Sequence, residues 1–281
     1  MTTVKAQEKH VEVNGVRLRY LDWGTRGKTP LVCLHGHTGQ AHIWDEFAQA
    51  MAPHYHVLAV DQRGHGGSQW ASTGYARDRF VEDLAAFVDA LGLAKFVLAG
   101  LSMGGWHSLL YTPDHQERVE RIIIVDIAPE PSLQWREQLA KRPPTPMEFP
   151  SLEDAISWMR QGNPWVSDAE LRKDAEDKMR QKEDGQWTWK ADSSLFNIQL
   201  PDMSDQTLIS RYWKAIDTIT CPILEVRGAE SGLVSDETIE RMIQRGKQVT
   251  SIDIPGAGHV VTVDKPSEFI EATRDFLGVR G

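Results

Sequence analysis

The chain is 281 residues long, 41% hydrophobic and 25% charged, ordinary proportions for one large globular domain or a core domain carrying an insertion. Its formal net charge is -9 and no Lys/Arg block offsets it, so nucleic acid and anionic membrane surfaces are poor partners. No run reaches the roughly 18 apolar residues a membrane span needs, and the opening MTTVKAQEKH lacks the apolar stretch of a secretory signal, which points to the cytoplasm.

Residues 11–13 and 16–23 read as a hairpin turned by Asn14-Gly15. Residues 30–34 and 56–60 are short apolar strands. Residues 77–91 form a helix, with Phe80, Leu84, Phe87, Val88 and Leu91 on one stripe at 3.6 spacing. Residues 96–99 and 121–126 are two more buried strands. Continuous apolar strands separated by helices predict a parallel sheet covered on both faces. Cys33 and Cys221 each sit in such an apolar segment and read as buried, reduced thiols, again a cytoplasmic trait.

The rhythm breaks between residues 129 and 214. That stretch is charged and helix-like, without comparable strands, and rich in proline and tryptophan (Trp135, Trp158, Trp165, Trp187, Trp189, Trp213). It then resumes with strands at 222–226 and 249–254 and helices at 235–245 and 266–277, Ser235 being placed to cap the first of these helices. The chain therefore divides into an α/β core, residues 1–128 and 215–281, and a helical cap or lid, residues 129–214. No internal repeat or low-complexity tract interrupts this order.

Three stretches carry chemistry. Residues 100–104, Gly-Leu-Ser-Met-Gly, follow a buried strand and precede a helical run. The Gly-x-Ser-x-Gly pattern alone is weak, but a strand-to-helix turn tight enough to lift Ser102 above the sheet needs glycine at 100 and 104, where a Cβ would clash. A serine hydroxyl needs a base, and histidine titrates near the working pH. Of ten histidines, His259 is the one in a loop (Pro255-Gly-Ala-Gly-His259) between the last strand and the last helix, at the carboxyl edge of the sheet where Ser102 also emerges. His54 and His56 flank or begin a strand, and His10, His42 and His115 look solvent-facing. Residues 31–39 run from a strand into the loop His35-Gly-His37-Thr-Gly39. The backbone N–H groups of Met103 and His37 are the candidate oxyanion donors. A zinc site on His35 and His37 lacks a third ligand, so no metal is expected.

With those pieces placed, the chain resembles the α/β-hydrolase superfamily over nearly its whole length. The likeness rests on His35-Gly36, the segment Asp61-Gln-Arg63-Gly-His-Gly-Gly-Ser68, the elbow at Ser102 and Gly256-Ala-Gly-His259, in the family's order and spacing. It implies an eight-stranded, mostly parallel sheet with helices on both faces, an inserted helical cap, no cofactor, and a scaffolding role for Asp61 and Arg63. It argues against epoxide hydrolases and haloalkane dehalogenases, whose elbows present aspartate. The third triad member departs from the pattern: where most relatives carry the acid, this chain has Gly232. Asp126, at the end of residues 121–126, is the favoured substitute because some esterases of the superfamily place their acid there; Glu230 is the alternative.

The function expected of these parts is hydrolysis of small to medium carboxylic esters through an acyl-enzyme on Ser102. Alternatives are carbon–carbon bond hydrolysis of diketone or ring-cleavage products, lactone hydrolysis and perhydrolysis. Outside enzymes, a hydrolase-fold receptor with weak turnover remains open because of Gly232. The tryptophans of the cap offer either an apolar pocket wall or packing between cap helices.

Overall fold

The computed structural model describes residues 4–24, 27–164, 166–197 and 205–279. The core opens with the hairpin β1 (Gln7–Val13) and β2 (Val16–Asp22). Val13 pairs with Val16 across Asn14 and Gly15, both at positive φ (48° and 76°), the twist a two-residue hairpin turn requires. Then come β3 (Pro30–Leu34), α1 (Asp45–Met51), β4 (His56–Val60), α2 (Arg77–Ala90), β5 (Phe96–Leu101), α3 (Met103–Tyr111) and β6 (Val119–Val125). The inserted segment contributes α4 (Leu133–Ala140), β7 (Glu148–Phe149), α5 (Leu152–Gly162), α6 (Asp168–Lys178), β8 (Met179–Gln181), β9 (Trp187–Trp189), α7 (Ser193–Asn197) and α8 (Gln206–Thr218). The chain closes with β10 (Ile223–Gly228), α9 (Asp236–Arg245), β11 (Val249–Ile254), α10 (Val261–Asp264) and α11 (Pro266–Leu277).

Eight strands make one sheet in the order β1-β2-β4-β3-β5-β6-β10-β11, antiparallel at β1/β2 and β2/β4 and parallel elsewhere. The central strands β3, β4, β5 and the end of β6 are continuously apolar because both faces are covered, and successive residues serve opposite cores. Val32, Leu34, Leu98, Ile122 and Ile124 pack against Leu84 and Phe87 of α2, Leu109 of α3 and Ile216 of α8. Leu31, Cys33, Val97, Ala99 and Ile123 pack against Phe47 and Met51 of α1 and Phe269 of α11. Cys33 and Cys221 are unpaired thiols, and burial pushes both up, Cys221 to about 11. Ser235 caps α9 by accepting the Thr238 N–H.

The inserted segment differs from its expected all-helical character. It holds a small antiparallel sheet, β7-β9-β8, whose strands of two or three residues are too short to show a period-2 pattern. Phe149, Met159, Leu171 and Trp189 form a separate small core there with α5 and α6. Helix α8 continues past residue 214 and buries Tyr212, Trp213 and Ile216 in the main core. Three hydrogen bonds tie the residues after β9 to the loop after β4: Asp192 N–H to Gly64 O (2.8 Å), Tyr75 Oη–H to Asp192 Oδ2 (2.5 Å) and Trp70 Nε1–H to Lys190 O (3.0 Å). Among the described residues no helix is long and apolar enough to cross a membrane.

Helix α3 lies unusually close to β5. A Cβ on Gly100 would sit 2.4 Å from the backbone C and O of Gly104 and 2.5 Å from Gly105 N; one on Gly104 would sit 2.4 Å from Leu34 O. Backbone cannot step aside as a side-chain tip can. Gly100→Ala is therefore expected to lower unfolding stability by at least about 3 kcal/mol in urea titrations. Gly162→Ala, in open space on α5, should be neutral or gain up to about 1 kcal/mol. Equal effects from the two would refute the close-approach argument.

Candidate active site

Ser102 sits between the last residue of β5 and the first of α3, at φ 52° and ψ −118°, a conformation L side chains adopt only under constraint. Its N–H donates to Val125 O at 3.0 Å and its C=O accepts from Trp106 N–H at 3.1 Å, so the elbow is held on both sides. Asp126 is the matching residue one strand over. Leu101 pairs with Val125, so Ser102 and Asp126 leave adjacent strands at the same level, and Asp126 too has positive φ (48°).

Asp126 is fully buried and its carboxylate accepts three hydrogen bonds. Gly228 N–H reaches Oδ1 at 3.1 Å; Ser231 Oγ–H and His259 Nδ1–H reach Oδ2 at 2.5 and 2.6 Å. A buried carboxylate is tolerated only when its lone pairs are engaged in this way. The contact to Nδ1 leaves Nε2 as the ring nitrogen of His259 available to the cavity that His259 and Ser102 both line. His259 gets there by crossing the end of β10, where a Cβ on Gly228 would lie 1.9 Å from Gly258 O. The loop is pinned by Glu230 N–H to Ala257 O (2.9 Å) and Gly258 N–H to Asp264 Oδ2 (2.8 Å).

Of the two acids weighed from the sequence, the structure brings Asp126 to His259 and leaves the side chain of Glu230 exposed. Gly232 stands at φ 66° in open space and offers His259 nothing. Glu225, buried on β10 beside Asp126, accepts the Ile127 N–H at 3.2 Å. Burial, reinforced by the charge of Asp126, pushes its carboxyl well above the usual range. Burial likewise raises Asp264 to about 6.

Met103 opens α3, so its N–H lies in the first turn, where no intrahelical carbonyl can accept it. His37 belongs to the loop after β3, and its half-buried ring bonds through Nε2 to Leu195 O at 3.0 Å, tying that loop to the inserted segment. Behind it lie neutral histidines. His35 Nε2 accepts the Gln62 N–H (2.9 Å) while Nδ1–H donates to Gly36 O (2.7 Å), so neither ring nitrogen is free for a metal. Gln62 Oε1 accepts from His107 Nδ1–H at 2.6 Å. Burial pushes His35 down to about 4 and His65 and His107 well below their ordinary range. Arg63 and Asp61 are spent on the scaffold. Arg63 makes a bidentate pair with Asp83 (2.7 and 2.7 Å), and Asp61 accepts Ala41 N–H, Gly67 N–H and Arg19 Nη1–H. Two histidines differ from expectation. His42 is half-buried between Asp45 and Arg19, and His115 is half-buried against Tyr111.

The cavity beside Ser102 measures about 270 Å³. Its apolar wall includes Phe80, Leu101, Trp106, Trp135 and Leu233. Of the tryptophans in residues 129–214, Trp135 is the one that lines it among the described residues; Trp158 and Trp189 pack with α5 and α6, Trp213 packs in the main core, and Trp165 lies outside the described residues. Sequence reasoning did not single out Ser231, Glu225 or Arg77. Ser231 and Glu225 act through contacts between distant strands, which no local pattern reveals. Arg77 was legible only as the first residue of a helix.

A neutral buried histidine links stability to pH. Unfolded, His35 takes its proton near 6.5; folded, only near 4. Its contribution to stability is whole above pH 6.5 and is lost as pH falls from 6.5 towards 4. Urea unfolding of His35→Asn should fall less steeply across that window than the wild type, by up to about 1.4 kcal/mol per pH unit. Identical slopes would contradict the assignment.

A family profile described as alpha/beta hydrolase fold matches residues 29–266. A 3-hydroxybutyrate-oligomer hydrolase of Cupriavidus necator is 26% identical over 279 residues, spanning 93% of this chain and 93% of that protein. An esterase of Mycobacterium tuberculosis is 28% identical over 269 residues, spanning 92% and 86%. Among solved structures, E-2-(acetamidomethylene)succinate hydrolase superposes with a TM-score of 0.85 at 22% identity, covering 97% of this chain and 99% of the other. With its sheet order, elbow and family match in agreement, the chain belongs to the α/β-hydrolase fold family.

Proposed function

We propose that this hydrolase cleaves carboxylic esters of small to medium size through an acyl-enzyme, with Ser102 as nucleophile, His259 as general base and acid, and Asp126 orienting His259. The observation that carries the reading is the His259 Nδ1–Asp126 contact of 2.6 Å on the far side of a ring that shares its cavity with Ser102. His259 Nε2 takes the Ser102 hydroxyl proton as Oγ attacks the ester carbonyl carbon. Negative charge then develops on the carbonyl oxygen, for which the N–H groups of Met103 and His37 are the proposed donors, worth about 3 kcal/mol each. Collapse of the tetrahedral species breaks the carbon–oxygen bond, and the alcohol leaves with the proton from His259. A water, deprotonated by the same nitrogen, releases the acid and regenerates Ser102. One ester and one water become one acid and one alcohol, with no other reactant.

Size and apolar lining favour a compact substrate, since about 270 Å³ lies just below the usual range for drug-sized ligands. Relatives named as an esterase and an oligomer hydrolase agree with ester cleavage. The receptor alternative rested on Gly232; a buried carboxylate reaching His259 from the neighbouring strand supports turnover instead. The unpaired thiols Cys33 and Cys221 fit a reducing compartment, so the reaction is proposed for the cytoplasm.

Turnover of p-nitrophenyl butyrate provides the test. Ser102→Ala should abolish it, Asp126→Asn should lower kcat by about 10⁴-fold, and Glu230→Gln should leave it within about twofold. Turnover surviving in Ser102→Ala, or a larger loss in Glu230→Gln than in Asp126→Asn, would overturn the assignment. Faster cleavage of ring-cleavage diketones than of any ester would move the same triad to carbon–carbon hydrolysis.

A further inference from the structure

The cavity beside Ser102 has a charge opposite to that of the chain around it. Against a formal net charge of -9, the Lys, Arg, Asp and Glu side chains lining it are Arg77, Arg142 and Lys178, with no carboxylate among the described residues of the wall. Lys178 is paired with Asp174 at 2.7 Å, and Arg142 is exposed. Arg77 is different. Its Nε and Nη1 are sealed from solvent and have no hydrogen-bond partner among the described residues.

Burying guanidinium donors without acceptors is expensive; Arg136 and Arg274 each leave one such nitrogen, Nε, whereas Arg77 leaves two. Arg63, buried more deeply than Arg77, gives its fork to Asp83 and further donors to Thr73 and Gly74. Asp78, adjacent to Arg77 in sequence, is instead engaged with Arg211 at 2.6 Å. Arg77 lies over aromatic faces, its Cζ 4.8 Å from the Trp106 ring centroid and 5.7 Å from that of Tyr212. Stacking offsets part of the desolvation and fixes the guanidinium plane, but it uses the face and leaves the in-plane N–H donors unspent. Burial accordingly lowers the pKa of Arg77 from its ordinary value, the direction for a cation with no close anion. Nε and Nη1 are sealed from the cavity as well, so Nη2 is the nitrogen through which this cation, which lines the cavity of the proposed nucleophile and has no anion of its own, can meet a ligand.

We propose that the ester this enzyme hydrolyses also carries a free carboxylate, and that Arg77 pairs with that carboxylate inside the cavity. The inference rests on the ester-hydrolase reading above and adds the class of substrate. A carboxylate brings a negative charge and charge-assisted acceptors to a wall whose charged side chains, Arg77, Arg142 and Lys178, are all cationic.

Two esters of equal length test it: mono-p-nitrophenyl glutarate, which is anionic, and its methyl-capped diester, which is neutral. In the wild type kcat/KM should favour the anion by about 10- to 100-fold, and Arg77→Gln should erase that ratio, chiefly through KM. Arg77→Lys, which keeps the charge and a stem over Trp106 but not the fork, should give an intermediate ratio. Arg79→Gln, one turn face away and paired with Glu82 on the surface, should give the wild-type ratio. A wild-type ratio near one, or the same ratio in wild type and Arg77→Gln, refutes the proposal. Calorimetry with monomethyl glutarate on Ser102→Ala protein separates the two readings. Binding that weakens about 10- to 100-fold when Arg77→Gln is added supports the carboxylate contact even if neither ester is turned over, in which case the hydrolytic reading alone is at fault. Binding indifferent to Arg77 removes the contact whatever the esters do.

Discussion

Two parallel strands that end at the same level, each on a residue forced into the left-handed region, set the geometry on which the site depends. The ladder between β5 and β6 pairs Leu101 with Val125, and the next residue on each strand, Ser102 and Asp126, turns out of the sheet. Neighbouring strands lie about 4.8 Å apart, so a hydroxyl and a carboxylate stand side by side with their spacing set by backbone hydrogen bonds. A slip of one residue would send either side chain to the other face. The third group comes from two strands further on. It can bridge the gap because β10 ends in Gly228, over which the loop carrying His259 lies in direct backbone contact.

Around that frame the protein rations buried charge. Asp126 is surrounded by donors, whereas Glu225 beside it is driven towards the neutral form by burial, with help from its neighbour's charge. The histidines behind the loop after β3 are interlocked through Gln62 and kept neutral, which makes them rigid packing with hydrogen bonds rather than titrating groups at neutral pH. Arg63 is buried only with Asp83. Arg77 departs from that pattern, lying over Trp106 and Tyr212 with Nε and Nη1 unpartnered among the described residues.

The stretch between β6 and β10 has an apolar centre of its own and is tied to the rest of the chain through Asp192, Lys190 and Leu195. Most of its described tryptophans serve that centre or the main core, while Trp135 serves the cavity. Composition showed that apolar bulk was present, but not which surface each ring would face, because a short amphipathic helix can offer its stripe to either neighbour.

Much of the core was legible in the sequence. The strands at Pro30–Leu34 and His56–Val60 and the helix Pro266–Leu277 follow from local runs and their caps, since a strand buried on both faces must be apolar throughout and a helix must show its stripe. The elbow was legible for the same reason: glycine on both sides of Ser102 is a steric demand written locally. What lay beyond reading was everything set by the order of strands in space. Whether Asp126 or Glu230 meets His259, that Ser231 also meets that carboxylate, and that Arg77 lies over Trp106 without an anion all depend on which strand ends and helices become neighbours. Sequence determines what each segment needs to bury or to satisfy; only the packed sheet decides which partner, tens of residues away, is near enough to do it.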